Sequence, residues 1–256
     1  MIADCFIFYN ELDMLEYRLS VLYPYVDNFI IVESTKTFAG NTKELYYDSN
    51  KKRYAKYADK IIHIIVDDTP ETNNAWNREY YQRNAINKGI EIINYSANDL
   101  IMISDLDEIP DMNTVINNIQ LIKSYQLVVL SQDFYYYTLN YDQQKKWNGT
   151  KIITLSMYKS LGCSSQKIRE NGAFPIGRGG WHLSYFGTAE FIKNKLQQFS
   201  HQEFNNDTYT NVNTINHKIT KGENLFDTVK FKYVLIKDNG YLPPNIELLL
   251  SYFPAK

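Results

Sequence analysis

The sequence predicts an α/β fold, with a mostly parallel central sheet flanked by helices. Strand and helix signals alternate through the first half in βαβα order, which calls for parallel strands joined by crossover helices. The strand candidates Ile2–Tyr9, Phe29–Val32, Lys60–Val66 and Leu100–Ser104 are short continuous apolar runs, the pattern of strands buried on both sheet faces. A chain of 256 residues is long enough for one domain with a large core. One domain over 1–256 is therefore expected, with residues 1–110 and 111–256 as its two halves.

Taken in order, Ile2–Tyr9 reads as the first strand. Asn10 is placed to cap a helix from Glu11 to about Leu22, whose Leu12, Leu15, Leu19 and Leu22 share one face. Phe29–Val32 is the second strand. After a polar loop through Thr37, Gly40 and Asn41 comes a tyrosine-rich, helical stretch over 44–57. Lys60–Val66 is the third strand, Trp76–Ile93 the next helix, and Leu100–Ser104 the fourth strand, which Ile109-Pro110 closes off. Gln126–Thr138 and Lys151–Tyr158 read as longer strands joined by the polar, hairpin-like loop 140–149. A glycine-rich segment over 171–180 leads into a short strand, Trp181–Phe186, and Thr188 caps a helix running to about Phe199. Helices near 213–220 and over 246–253 end the chain.

Net charge is −2, from 27 Lys plus Arg against 29 Asp plus Glu, so no nucleic-acid footprint is written in the composition. Phosphate recognition would have to come from local basic residues. The 22 Tyr and 13 Phe suit sugar or base stacking as well as ordinary core filling. Cys5 and Cys163 lie far apart in sequence, Cys5 within a strand run, which argues against a disulfide framework. No stretch approaches the ~18 apolar residues of a membrane span, and the first residues lack a basic leader. A cytoplasmic location is expected.

The chemistry concentrates at strand ends. In a parallel sheet the carboxyl ends of the strands share one rim, and here they deliver Asn10-Glu11, Glu33-Ser34, Asp67-Asp68 and Asp105-Leu-Asp107. Two hard oxygen donors at 105 and 107 suit Mg²⁺ or Mn²⁺; Asn10, Glu33 and Asp68 can accept from ribose hydroxyls or a base N–H. On the helix after the third strand, Arg78 and Arg83 can reach a diphosphate with a bidentate fork, and Glu79 can pair with Arg83 along one face. Gly180, after Gly177 and Gly179, permits close approach of backbone to ligand. His182 beside it is a candidate metal or phosphate contact. Each of these has a plainer use: Asp-x-Asp occurs in capping loops, arginines form surface ion pairs, and a lone histidine is usually a structural hydrogen-bonder.

Five segments together resemble glycosyltransferase family 17, the family of the β-1,4-mannosyl-glycoprotein N-acetylglucosaminyltransferase that adds bisecting GlcNAc. They are Tyr9-Asn-Glu-Leu-Asp-Met-Leu-Glu-Tyr-Arg18, Val26-Asp-Asn-Phe-Ile-Ile-Val-Glu-Ser34, Trp76-Asn-Arg-Glu79, Ile103-Ser-Asp-Leu-Asp-Glu-Ile-Pro110 and Gly180-Trp-His-Leu-Ser-Tyr185, in the same order over residues 1 to about 205. The resemblance implies a GT-A nucleotide-sugar fold, a Mn²⁺ or Mg²⁺ ion bound through Asp105 and Asp107, a UDP-sugar donor, a glycan acceptor and inversion at the anomeric carbon. Inverting transferases of this fold usually place the base near a helix start beyond the metal motif, which nominates Glu190 first and Glu203 second. A metal-dependent phosphohydrolase or nucleotidyltransferase would use the same carboxylates, and a non-catalytic glycan-binding module would use the tyrosines.

Overall fold

The computed structural model describes residues 1–227 and 229–255. Its centre is a ten-stranded mixed sheet with strand order β3-β2-β1-β4-β7-β6-β9-β5, β10 pairing with β7 and β8 with β6. The strands are β1 (Ile2–Phe8), β2 (Asn28–Ser34), β3 (Ile61–Val66), β4 (Leu100–Asp105), β5 (Glu108–Pro110), β6 (Leu127–Tyr136), β7 (Tyr141–Thr154), β8 (Phe174–Ile176), β9 (Gly180–Ser184) and β10 (Lys232–Tyr233). β1 to β4 are parallel to one another. β7 then runs antiparallel beside β4, so the second half extends the same sheet rather than starting another.

The apolar runs are strands because both of their faces are covered. Along β1, Ile2, Phe6 and Phe8 enter one core cluster, together with residues of the helices Leu12–Leu22 and Ile246–Tyr252. Ala3 and Cys5 enter a second, with residues of Ile86–Ile92 and Ser165–Glu170 on the opposite face. With period-two alternation and no polar face, continuous hydrophobicity is the only pattern that suits both sides. β1 lies between β2 and β4, so the chain reverses its winding direction beside it and leaves a crevice at the strands' carboxyl ends.

Several local expectations change. Asn10 does not cap the first helix: Glu11 occupies the cap position and makes no side-chain cap bond. The stretch after the second strand forms one short α-turn at Tyr46–Ser49 and a 3₁₀ run, Lys51–Lys60. The helix over 76–93 is two, Ala75–Asn84 and Ile86–Ile92, meeting at Ala85. All of the polar segment 140–149 except Asn140 lies within β7, its register on β6 pairing Asp133 with Lys146 and Ser131 with Asn148. Residues 144–146 and Asn148 are a solvated strand edge, while Trp147 and Gly149 turn inward. Residues 155–158 leave the sheet as a helix because the Thr154 hydroxyl accepts from Met157 N and caps it. Glu108–Pro110 is itself a strand, antiparallel to β9, and Asp111 caps the next helix by accepting from Asn113 N and Thr114 N. Thr188 does cap Ala189–Gln198.

The turn from β4 to β5 is fixed from beneath by Arg18, which has no solvent exposure. Its Nε and Nη2 donate to the two oxygens of buried Asp4 at 2.8 and 2.6 Å, and Nη2 donates to Ser104 Oγ. Nη1 donates to the backbone carbonyls of Asp105, Leu106 and Glu108 at 3.1, 3.1 and 2.7 Å. Every edge of the guanidinium is engaged, so a tight turn without ladder bonds of its own has its carbonyls satisfied. Replacing Arg18 by Ala would leave Asp4 charged and alone in the core, at a cost of roughly 3–5 kcal/mol. The check is a lowered urea midpoint, with a smaller loss for the double variant Asp4→Leu/Arg18→Met, which removes both charges together.

Candidate active site

A cavity of about 480 Å³ opens at the carboxyl ends of β1 and β4, lined there by Ile7, Phe8, Tyr9, Asp105, Leu106 and Asp107. Its size falls in the usual range for small-ligand pockets. β4 ends in Asp105, in register beside Ile7, and the turn that Arg18 holds presents Asp107 to the same space. The strand β9 sits between β5 and β6, with His182 opposite Glu108 on one side and Phe134 on the other. That register brings the histidine to the aspartates.

The two aspartates have different partners. Asp105 gives one oxygen to Arg83 Nη1 at 2.7 Å and the other to Arg169 Nη2 at 2.9 Å. Burial raises its carboxyl pKa, but the two guanidiniums outweigh this and hold it well below the usual carboxylate range. Asp107 Oδ1 lies 3.5 Å from His182 Nε2, and Oδ2 is 3.4 Å from Lys195 Nζ. Burial again acts upward, and Lys195 with His182 brings it down to about 2. Lys195 also sits 3.4 Å from Glu11 Oε1, and these carboxylates push its amine up against the opposing effect of burial.

Beneath the floor lies Glu108, fully buried. Its carboxylate accepts from Arg169 Nη1 and Nη2 at 2.7 and 2.9 Å, from Trp147 Nε1 at 2.6 Å and from Asp105 N at 3.1 Å. Arg83 pairs with Glu79 in the i,i+4 relation and keeps a buried Nε without a partner. His182 is stacked with Phe134 at 4.5 Å and tilted against Trp147 at 4.6 Å; its Nδ1 is likewise buried and unpartnered.

These donors can be tested against a divalent ion. On the cavity lining the carboxylates Glu11, Glu79, Asp105, Asp107 and Glu170 stand against the fixed cations Lys36, Lys43, Arg83, Arg169 and Lys195, with Glu108 buried beneath. Among the described residues no group of three His, Cys, Asp or Glu surrounds a common point. The Asp107–His182 pair offers one oxygen and one nitrogen 3.5 Å apart. Since Mg²⁺ and Mn²⁺ are commonly held by one or two protein donors plus substrate phosphates and water, this pair fits such an ion. Both oxygens of Asp105 are already given to arginines.

The remaining sequence candidates scatter. Arg83, Asp105, Asp107 and His182 line the cavity, as do Glu11 and Glu79, whereas Asn10, Glu33, Asp68, Arg78, Gly180, Glu190 and Glu203 lie outside that lining. Asn10 donates to Asn194. Glu33 is buried beneath Lys43, Tyr47 N and His63, and exposed Asp68 lies 3.7 Å from Lys88. Arg78 donates to the carbonyls of Phe38 and Thr72, tying down the loop after β2. Gly180 has φ +123°, and a Cβ there would fall 2.1 Å from Ile109 O, so its glycine serves the β5–β9 contact. Glu190 is exposed in the first turn of its helix, where an acidic residue favours the dipole. Glu203 is exposed and pairs with His201 at 2.7 Å. Conversely, Arg169, Lys195 and Trp147 line the cavity without any local signal: an arginine and a lysine on amphipathic helices and a tryptophan in a polar stretch look like surface residues until the fold is closed.

The model of glycosyltransferase family 17 matches residues 1–243, and the chain belongs to that family. It is a glycosyltransferase, and its α/β sheet with the cavity at the carboxyl edge of the parallel strands is the architecture expected of one. Solved structures with a distant likeness include S. aureus TarS 1-349, at TM-score 0.43 and 11% identity over 86% of this chain and 70% of that one. The same protein in complex with UDP-GlcNAc gives 0.41 and 11% over 86% and 71%. Francisella tularensis 2-C-methyl-D-erythritol 4-phosphate cytidylyltransferase gives 0.39 and 11% over 69% and 90%. These likenesses are too remote to carry any inference about chemistry. No curated protein matches the sequence. Among the described residues no helix is long and apolar enough to cross a membrane.

Gly149 tests how tightly the floor is packed. A Cβ there would lie 2.1 Å from Glu108 Oε1 and 2.2 Å from Trp147 Nε1, both locked in one hydrogen bond. Gly149→Ala should therefore cost about 1–3 kcal/mol as overpacking. Trp147→Phe, which keeps a ring beside His182 but removes the N–H, should cost about 1–3 kcal/mol for a hydrogen bond lost from a buried charged acceptor, whose Oε1 keeps only Arg169 Nη2. Thermal unfolding of both variants checks this, and an unchanged midpoint in both would contradict the packing described.

Proposed function

We propose that the protein is an inverting, metal-assisted glycosyltransferase that moves a sugar, with GlcNAc the first choice, from a UDP-sugar to a glycan hydroxyl. The supporting observation is the cavity floor: a two-donor cation site at Asp107 and His182 beside Arg83, Arg169 and Lys195, at the rim where parallel sheets hold ligands. A phosphate-leaving reaction needs positive charge near the leaving group, and Arg83, Arg169 and Lys195 supply it here. Residues 1–110 take the nucleotide in this reading, and 111–256 supply the acceptor side. GlcNAc and inversion are what the resemblance to the family implies.

Asp107 and His182 would hold a Mn²⁺ or Mg²⁺ ion, which would supply Lewis-acid neutralisation of negative charge on the diphosphate. The arginines and Lys195 orient that diphosphate and stabilise it as it leaves. The acceptor oxygen attacks the anomeric carbon from the opposite face, the bond from carbon to diphosphate oxygen breaks with its electron pair going to the diphosphate, and the hydroxyl proton passes to a carboxylate. Glu190 and Glu203, nominated from the sequence, stand outside the cavity lining. Glu11 and Glu170 line it and are not paired with an arginine, and we assign the base to one of them. Its Gln variant should lose about 10²–10⁴-fold in kcat with donor binding unchanged, and wild-type turnover in both variants excludes the pair.

The direct test is incubation with UDP-GlcNAc, other UDP-sugars and a panel of oligosaccharide acceptors with Mn²⁺, the anomeric configuration of the product being read by NMR. Transfer with inverted configuration is expected. Asp107→Asn should lower kcat/KM by at least about 100-fold, the scale of losing one preorganised electrostatic contact. Release of phosphate or pyrophosphate without transfer would point instead to the phosphohydrolase or nucleotidyltransferase reading.

A further inference from the structure

We propose that Asp105 is the shared counter-ion of a two-arginine cradle for the donor's diphosphate, formed by Arg83 and Arg169, and that it does not ligate the divalent ion. The proposal rests on the nucleotide-sugar reading above. It begins from the division between the two aspartates of the motif. Asp107 faces His182 and Lys195, whereas Asp105 spends one oxygen on each of two guanidiniums.

The arginines come from opposite halves of the chain, Arg83 from the helix Ala75–Asn84 and Arg169 from Ser165–Glu170, and both line the cavity. Arg169 is braced from behind by the buried Glu108 through two hydrogen bonds, so its plane is set before any ligand arrives. Arg83 is 4% exposed and carries a buried Nε–H with no acceptor. A buried donor left open beside a cavity is suited to an oxygen that comes with the ligand. Two guanidiniums facing one space repel, and a carboxylate between them holds both in place. A diphosphate oxygen can take over that role, because phosphate matches the arginine fork as carboxylate does. Asp105 then preorganises the cradle and yields to the substrate, and the ion is left to Asp107 and His182.

The sign of one substitution separates this role from that of a metal ligand. Asp105→Asn removes a charge that competes with the diphosphate, so in EDTA the variant should bind UDP as tightly as wild type or more tightly. Titrated with Mn²⁺ alone and followed by EPR of the free ion, Asp105→Asn should stay within about threefold of wild-type affinity, while Asp107→Asn loses about tenfold or more. Arg169→Lys, which keeps the charge against Glu108 but loses the fork, should weaken UDP binding in EDTA by about fivefold or more; if it does not fold, Arg83→Lys is read in its place. Loss of Mn²⁺ by Asp105→Asn equal to that of Asp107→Asn overturns the proposal, as does wild-type UDP affinity in the lysine variant. The predicted binding pattern without transfer from any UDP-sugar supports the cradle and removes the functional reading; a wild-type protein that binds no UDP removes both.

Discussion

The site depends on one buried cation. Arg18 reaches from the first helix to the end of the fourth strand, where its guanidinium balances Asp4 and gathers the carbonyls of Asp105, Leu106 and Glu108. A β4–β5 turn this tight turns carbonyls inward, where water cannot satisfy them, and a planar donor with five N–H groups is the one side chain that can serve all of them at once. Because the arginine is neutralised by Asp4, it does so without bringing net charge into the core. The chain beyond β4 thereby acquires a fixed geometry, and the carboxylates of 105 and 107 diverge to different partners.

That divergence organises the electrostatics. Five carboxylates and five fixed cations share the cavity lining, which would be costly in a water-poor space if each stood alone. Instead most are matched: Asp105 between Arg83 and Arg169, Asp107 and Glu11 around Lys195, and Glu79 with Arg83. The cost of assembling like charges falls during folding rather than when the donor binds, which is the condition for electrostatic preorganisation.

Much of this was legible in the sequence, and the boundary has a physical cause. The four parallel strands announce themselves because burial on both faces permits only apolar residues; the motif at 105–107 is visible because it follows such a strand directly. Thr188 was readable as a cap from its own side chain and spacing. What could not be read were contacts between segments distant in the chain. Arg169 meets Asp105 64 residues away and Lys195 meets Asp107 88 residues away, and nothing local distinguishes either from its exposed neighbours. Strand-end acids such as Glu33 and Asp68 illustrate the reverse error. Sharing a rim is not sharing a cavity: Glu33 lies under a lysine and a histidine and Asp68 points to solvent, so a pattern based on strand ends overcounts the site.

Glu108, the carboxylate that sequence reading passed over, shows why the two halves of the site are coupled. It takes both Arg169 nitrogens and the indole of Trp147, and Trp147 in turn packs against the His182 ring. A single buried charge therefore sets the Arg169 guanidinium and, through the indole, the His182 imidazole. Gly149 makes this possible, since any side chain there would occupy the space in which Glu108 and Trp147 meet. Phe134 stacks on the same histidine at 4.5 Å and packs against Trp147 at 5.4 Å, so the three rings form one cluster beside the cavity. In a chain so rich in aromatic residues, these rings act through geometry: they hold a polar group in one orientation in a space that water would otherwise fill, and the order of the site comes from packing as much as from charge.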